Sequence, residues 1–100
     1  MQTYVTLGIG QGNGDPDTVI RDAVEKVGGK FIGGYMLMGQ YDYLLIFEAP
    51  DAHAAAMIVY AAKRAAGLDG KQSETLVAFK SEDFKRFGEI AEKMGLELGE

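Results

Sequence analysis

The alternation of apolar and polar positions along the chain predicts four β-strands. Each predicted strand is rich in β-branched and aromatic residues, and each is bounded by glycine, proline or small polar residues. The four segments are Thr3–Leu7, "KFIGGYMLM", "YDYLLIFE" and "QSETLVAF". Strands of this kind, separated by helical segments, favour a sheet with helices packed against it.

Apolar residues at helical spacing predict three helices between and after these strands. Asp15 and Pro16 are typical of a helix start, and Gly28–Gly29 of its end. The second helix is predicted to begin after Asp51 as cap and to end at Gly67. Ser81 is the predicted cap of a third helix. Its apolar face, predicted to be core against the sheet or a partner, carries Phe84, Phe87, Ala91 and Met94.

The order of these elements predicts the α+β class. Strand, helix, strand, strand, helix, strand is typical of a ferredoxin-like βαββαβ antiparallel sheet, with both helices on one face because crossovers are right-handed. The third helix would be an extra C-terminal helix. We expect a single domain over residues 1–95 and a frayed tail over residues 96–100.

The second and third strands are predicted to form a hairpin that is apolar on both faces. Gly39 and Gln40 suit a two-residue type II′ loop, which fixes the register. Gly34 would pair with Leu45 on the face toward the helices. The opposite face would carry the pairs Leu37–Asp42, Tyr35–Leu44, Gly33–Ile46 and Phe31–Glu48. Since helices can cover only one face, the other predicts a second subunit, and therefore a homodimer or larger assembly.

The composition narrows the possible functions. The chain has a net charge of −5 and no basic cluster, which argues against nucleic acid and against an anionic membrane surface as partners. It contains no cysteine, which excludes disulfides and thiol chemistry. The N-terminal residues have no signal-peptide pattern, and no apolar run could span a bilayer, so we predict a cytoplasmic protein.

Two features of the sequence could indicate a bound cofactor, but neither forms a complete cofactor-binding motif. The glycines of "GIGQGNGDPD" alternate, whereas a dinucleotide fingerprint needs G-x-G-x-x-G, and a phosphate at the helix start would meet Asp15 and Asp17. We predict a turn that binds no nucleotide. His53 is the only histidine and lacks the companion ligands of a metal site. We therefore predict no cofactor, no metal and no catalytic residue.

The polar residues of the sheet define a candidate ligand site. If Val5 and Leu7 face the helices, then Tyr4 and Thr6 share the other face with residues of the hairpin. The predicted pocket on that face would bind a small, partly aromatic or cationic molecule and would be lined by Tyr4, Thr6, Tyr35, Asp42 and Glu48. The alternative is that these groups hydrogen-bond one another across a dimer seam.

The segment "MGQYDYLLIFEAPD" resembles the signature of the GYD domain family, with Gly39, Tyr41 and Asp42 as the naming residues. "QTYVTL", "GGKFIGGY" and "SETLVAF" are similar to further parts of that family. The resemblance covers most of residues 1–79, and it implies a ferredoxin-like fold related to the dimeric α/β-barrel proteins.

Three functions agree with these observations. The first is a homo-oligomeric module that binds a small molecule or has a structural role. The second is a cofactor-independent enzyme resembling dimeric α/β-barrel monooxygenases or isomerases, with a tyrosine or Asp42 assisting proton transfer. The third is a regulatory or assembly subunit.

Overall fold

The computed structural model describes residues 1–12 and 16–95, with Pro16 described by its backbone alone. The chain is an α+β protein with a four-stranded antiparallel sheet and three helices, which confirms the predicted class. The elements are β1 (Gln2–Gly8), α1 (Pro16–Lys26), β2 (Lys30–Met36), β3 (Tyr43–Ala49), α2 (Ala52–Ala66), β4 (Ser73–Ala78) and α3 (Ser81–Lys93). The predicted cap Asp15 and the predicted tail lie outside the described residues.

The strands lie in the order β2-β3-β1-β4, and every neighbouring pair is antiparallel. The core forms where α1 and α2 pack on one face of this sheet. Phe47 of β3 is fully buried at its centre, and the ring of Tyr4 stacks against it with centroids 5.8 Å apart. The buried core cluster consists of Tyr4, Ile20, Val24, Phe47, Ala49, Ala55, Ile58 and Ala62.

The predicted orientation of β1 is wrong. Tyr4 and Thr6 are only 5% and 1% exposed, because they pair with Phe47 and Leu45 and so share the face that the helices cover. The hydroxyl of Thr6 is satisfied there by the hydroxyl of Thr75, 2.9 Å away. A threonine whose hydroxyl has a partner can be buried at little cost. Val5 therefore lies on the opposite face.

The connection between β2 and β3 is longer than the predicted two residues. The register is as predicted from Met36 opposite Tyr43 to Gly33 opposite Ile46. Beyond Met36, the Leu37 N–H still donates to the Asp42 carbonyl, at 2.8 Å, but the Asp42 N–H donates to Gly8 on β1. The residues between Met36 and Tyr43 therefore form a loop. The N–H of Asp42, the last residue of this loop, is bonded to β1 rather than to β2.

A bulge changes the other end of this hairpin. Between Phe31 and Gly33 the register shifts, so that Phe31 pairs with Phe47 instead of Glu48, and Lys30 takes the place opposite Glu48. Ile32 is left unpaired and half exposed. A bulge of one residue reverses which side chains face the core. It therefore brings the aromatic ring of Phe31 to the helix side, where it packs against the core cluster.

The ends of α2 are as predicted, whereas the start of α3 differs. The Asp51 carboxylate accepts from the Ala54 N–H at 2.8 Å, and Gly67 ends the helix in the left-handed conformation. In α3 the N-cap is Lys80 rather than Ser81, because the Asp83 carboxylate accepts from the Lys80 N–H at 3.1 Å. An acid in the first turn thus performs the capping.

Most of the apolar face of α3 does not join the core, although Ala91 is buried. Phe84 and Met94 are 66% and 68% exposed, and Phe87 packs edge-on against Phe84 and Phe79. Within the part of the chain that the structure describes, no other element packs extensively against α3. Of the two alternatives predicted for this face, packing against the sheet of its own chain is not observed for Phe84 and Met94. Packing against a partner stays a prediction.

Candidate functional site

A pocket of about 420 Å³ lies between α1, α2 and one end of the sheet. The loop after β1 and the loop between β2 and β3 form its rim. Its lining consists of Thr6, Gly10, Gln11, Gly12, Val19, Ile20, Met36, Leu37, Asp42, Tyr43, Leu45, Val59, Ala62, Lys63, Ala66 and Leu68. Pockets that bind small molecules commonly have volumes of roughly 300–1,000 Å³ and a mostly apolar lining with a few polar groups.

The helical wall of the pocket is apolar with one exception. Val19 and Ile20 of α1 and Val59 of α2 face the cavity, together with the small side chains of Ala62 and Ala66. Apart from Lys63, the described residues that α1 and α2 contribute are all apolar. The helices therefore supply a surface for an apolar ligand group, and the polar contacts come from Lys63 and from the sheet end.

Tyr43 places a phenol at the sheet end of the pocket. Gly8 is its partner across the strands, and a Cβ at Gly8 would lie 2.1 Å from the Tyr43 ring. Only a glycine leaves room for the ring to lie against β1. Burial raises the pKa of the Tyr43 phenol above its usual value of 10.0, so the group is neutral near pH 7 and can donate a hydrogen bond.

Asp42 connects two loops at the rim. Its Oδ2 accepts from the Gly10 N–H at 2.7 Å, and its own N–H donates to the Gly8 carbonyl at 2.8 Å. Gly10 has a φ of +110°, which side-chain-bearing residues rarely adopt, and a Cβ there would lie 2.9 Å from Leu68. The Asp42 carboxylate is therefore hydrogen-bonded across the rim of the pocket, whereas the sequence pattern predicts it on the open face of the sheet.

Lys63 is the cation among the residues that line the pocket, and it also lines a second cavity between α2 and β4. Its Nζ donates to the carbonyl of Lys71 and, at 3.1 Å, to the hydroxyl of Ser73. Both acceptors are uncharged, and no carboxylate of the described residues forms an ion pair with this ammonium. The charge is thus held in position, partly buried, by neutral groups.

Tyr41, the tyrosine of the signature, lies outside the pocket. Its hydroxyl donates to Glu74 Oε2 at 2.8 Å, so the loop is also bonded to β4. The hydrogen bond to Glu74, and next the negative charge of that carboxylate, raise the pKa of Tyr41 above 10.0. Tyr41 thus has a structural contact that accounts for its position. Of the three naming residues of the signature, only Asp42 lines the pocket.

The structure does not bring the five predicted site residues together. Thr6 and Asp42 line the pocket on the helix side, and Tyr4 lines a second cavity of about 580 Å³ between α2 and β4. Tyr35 is 63% exposed on the opposite face of the sheet, where Glu48 also lies. Sequence reasoning missed Tyr43 and Lys63. The glycine opposite Tyr43 was an available signal, whereas Lys63 looked like an ordinary basic residue near a helix end.

The other candidate features acquire structural explanations. The Gly10 N–H is already bonded to Asp42, and a Cβ at Gly12 would lie 2.8 Å from Ala66, so close packing accounts for these two glycines.

His53 is exposed in the first turn of α2. Within residues 1–12 and 16–95 no cluster of acidic or histidine residues could hold a metal ion. None of the described helices is both long and apolar enough to cross a membrane.

These features define a small α+β protein with a pocket between its helices and its sheet. The chain matches the GYD domain family over residues 4–87, and it belongs to that family. Its fold is similar to the crystal structure of TTHA0845 from Thermus thermophilus, with 22% identity and a TM-score of 0.48 over 81% of this chain and 96% of that one.

The chain is also similar to a second solved structure, that of a REP-associated tyrosine transposase bound to a REP hairpin. It has 14% identity and a TM-score of 0.42, over 86% of this chain and 61% of that one. No curated protein matches the chain.

Replacing Asp42 tests the contact across the rim. Asp42→Ala leaves the Gly10 N–H without its acceptor, and we expect a loss of roughly 0.5–1.5 kcal/mol in the free energy of unfolding. Asp42→Asn retains a carbonyl oxygen and should lose less. Urea denaturation measures the loss, and amide hydrogen exchange at Gly10 localises it. The control is Gln40→Ala, an exposed change in the same loop. Unchanged exchange at Gly10 in Asp42→Ala would contradict the contact.

The contact between Tyr41 and Glu74 predicts a pH dependence. A tyrosine whose pKa is raised by folding stabilises the fold below pH 10, and this contribution is lost as the pH rises through the raised pKa. Glu74→Gln removes the charge and should lower the pKa of Tyr41 toward 10.0. The measurement is phenolate absorbance against pH, with the spectrum of Tyr41→Phe subtracted from each. An identical midpoint in both proteins would refute the contact.

Proposed function

We propose that the chain binds a small molecule in the pocket between its helices and its sheet. The observation that carries this proposal is the combination of an apolar helical wall with a neutral phenol, Tyr43, and an ammonium, Lys63, on one cavity of about 420 Å³. Such a lining accepts an apolar ligand body and orients a polar end. The site lies on the helix face, so this proposal replaces the pocket predicted on the opposite face.

We also propose that the sheet and its two helices form a ferredoxin-like fold. The strand order β2-β3-β1-β4, with α1 and α2 on one face, supports it.

The hypothesis of a cofactor-independent enzyme would need Tyr43 or Asp42 to move a proton. Tyr43, with its raised pKa, suits donation better than proton abstraction near pH 7. Binding without chemistry needs neither step, and it is the function we favour. The cytoplasmic location stays a prediction.

Filling the pocket tests the binding function. Ala66 lines the pocket and its neighbour Ala65 is exposed, so the substitutions Ala66→Leu and Ala65→Leu form a matched pair near the end of α2. We expect wild type and Ala65→Leu to bind 1-octanol, with chemical-shift changes at Val19, Tyr43 and Val59. Ala66→Leu should weaken binding by roughly tenfold, because the added methyl groups occupy the ligand's space. Equal binding by both variants, or shifts elsewhere, would argue against this site.

A second observation favours self-association as a further function. On the sheet face opposite α1 and α2, Leu76 and Tyr35 are exposed, and the partly exposed side chains of Val5, Leu44 and Ile46 extend the apolar area. A second copy packed face to face would cover this area, as in sandwich folds. A regulatory or assembly role, the third function considered from the sequence, would use the same surface.

A charge placed on this face tests the assembly. We expect wild type to have at least twice the 10.8 kDa mass of one chain in light scattering after gel filtration. Leu76→Lys should weaken association by roughly tenfold or more, because it buries an unpaired ammonium. Met57→Lys is the control: Leu76 and Met57 are 45% and 50% exposed, and Met57 lies on α2. A wild-type monomer at micromolar concentrations would eliminate this proposal.

A further inference from the structure

Lys63 gives the pocket a chemical preference. Its ammonium has three N–H donors, and its two described hydrogen bonds, to the Lys71 carbonyl and the Ser73 hydroxyl, leave one of them available. Both bonds fix the position of the charge without neutralising it. A partly buried cation is costly unless an anion or further hydrogen bonds accompany it. No carboxylate of the described residues forms an ion pair with Lys63, so an anionic ligand could supply the missing partner.

The other polar groups are compatible with an anion. Tyr43 is a neutral phenol and donates a hydrogen bond, since burial disfavours its ionised form. Asp42 is the acid of the lining, and its Oδ2 is already bonded to the Gly10 N–H. Asp42 therefore belongs to the rim contact, where one of its carboxylate oxygens is engaged. The donors Lys63 and Tyr43 remain for a ligand.

We infer that the natural ligand is an amphipathic monocarboxylate. Its apolar body lies against Val19, Ile20 and Val59, and its carboxylate accepts hydrogen bonds from Lys63 and from the Tyr43 hydroxyl. This inference rests on the proposed binding function and specifies its ligand class. A carboxylate rather than a phosphate is favoured, because one ammonium and one phenol match a single negative charge, and Asp42 at the rim would repel a second.

Three probes with the same eight-carbon chain separate the polar end from the apolar body. Octanoate, 1-octanol and octylamine are titrated into the protein near pH 7, and dissociation constants are obtained from amide chemical shifts. We expect octanoate to bind roughly tenfold more tightly than 1-octanol, since a charged hydrogen bond exceeds a neutral one by about that factor. Octylamine should bind most weakly. If 1-octanol binds as well as octanoate, the ligand class is wrong while the binding function stands. If no probe binds, both fail.

Variants of Lys63 and Tyr43 test which side chain causes the preference for octanoate over 1-octanol. Lys63→Met should abolish the preference for octanoate over 1-octanol, measured as the ratio of the two dissociation constants in the same variant, whereas Lys63→Arg should retain it. Tyr43→Phe should weaken octanoate more than 1-octanol. A preference that survives Lys63→Met would overturn the assignment.

A direct contact measurement covers the case in which Lys63→Met does not fold. In the wild-type complex, nuclear Overhauser effects should join the methylene group next to the octanoate carboxylate to the Lys63 side chain and the Tyr43 ring. The same methylene group contacting Val19 instead would show the reverse orientation and refute the inference.

Discussion

Everything in this fold depends on the packing of two helices against one face of a sheet whose two faces are both largely apolar. Phe47 at the centre of that contact is fully buried, and Tyr4 stacks on it. Because the helices pack on this face, the pocket lies beside the core on the same side of the sheet. The apolar residues of the opposite face, such as Leu76, then remain available to another molecule.

The signature residues act at the end of this sheet by holding loops together. Tyr41 is bonded to Glu74 on β4, and Asp42 is bonded to Gly8 and Gly10 at the end of β1. Both residues come directly before Tyr43, the first residue of β3. The motif thus places a phenol at the pocket by fixing the strand that carries it, which is a structural role with a functional consequence.

Local interactions explain what could be predicted about the fold. The cap Asp51, the helix end at Gly67 and the pairing of Met36 with Tyr43 each depend on residues close in the sequence. The bulge beside Ile32 and the bond from Asp42 to Gly8 depend on distant strands. For that reason the predicted two-residue loop was wrong, although the register next to it was right.

The sequence by itself determined the strands and helices, the α+β class and the presence of two apolar sheet faces, because periodicity and capping are properties of neighbouring residues. Only the tertiary structure decided which face of β1 meets the helices. Alternation separates Tyr4 and Thr6 from Val5 but carries no information about direction, and the choice came from Phe47 opposite Tyr4 and from Thr75 satisfying Thr6. The candidate site followed from that choice, since Lys63 and Tyr43 line one pocket because α2 lies on that face.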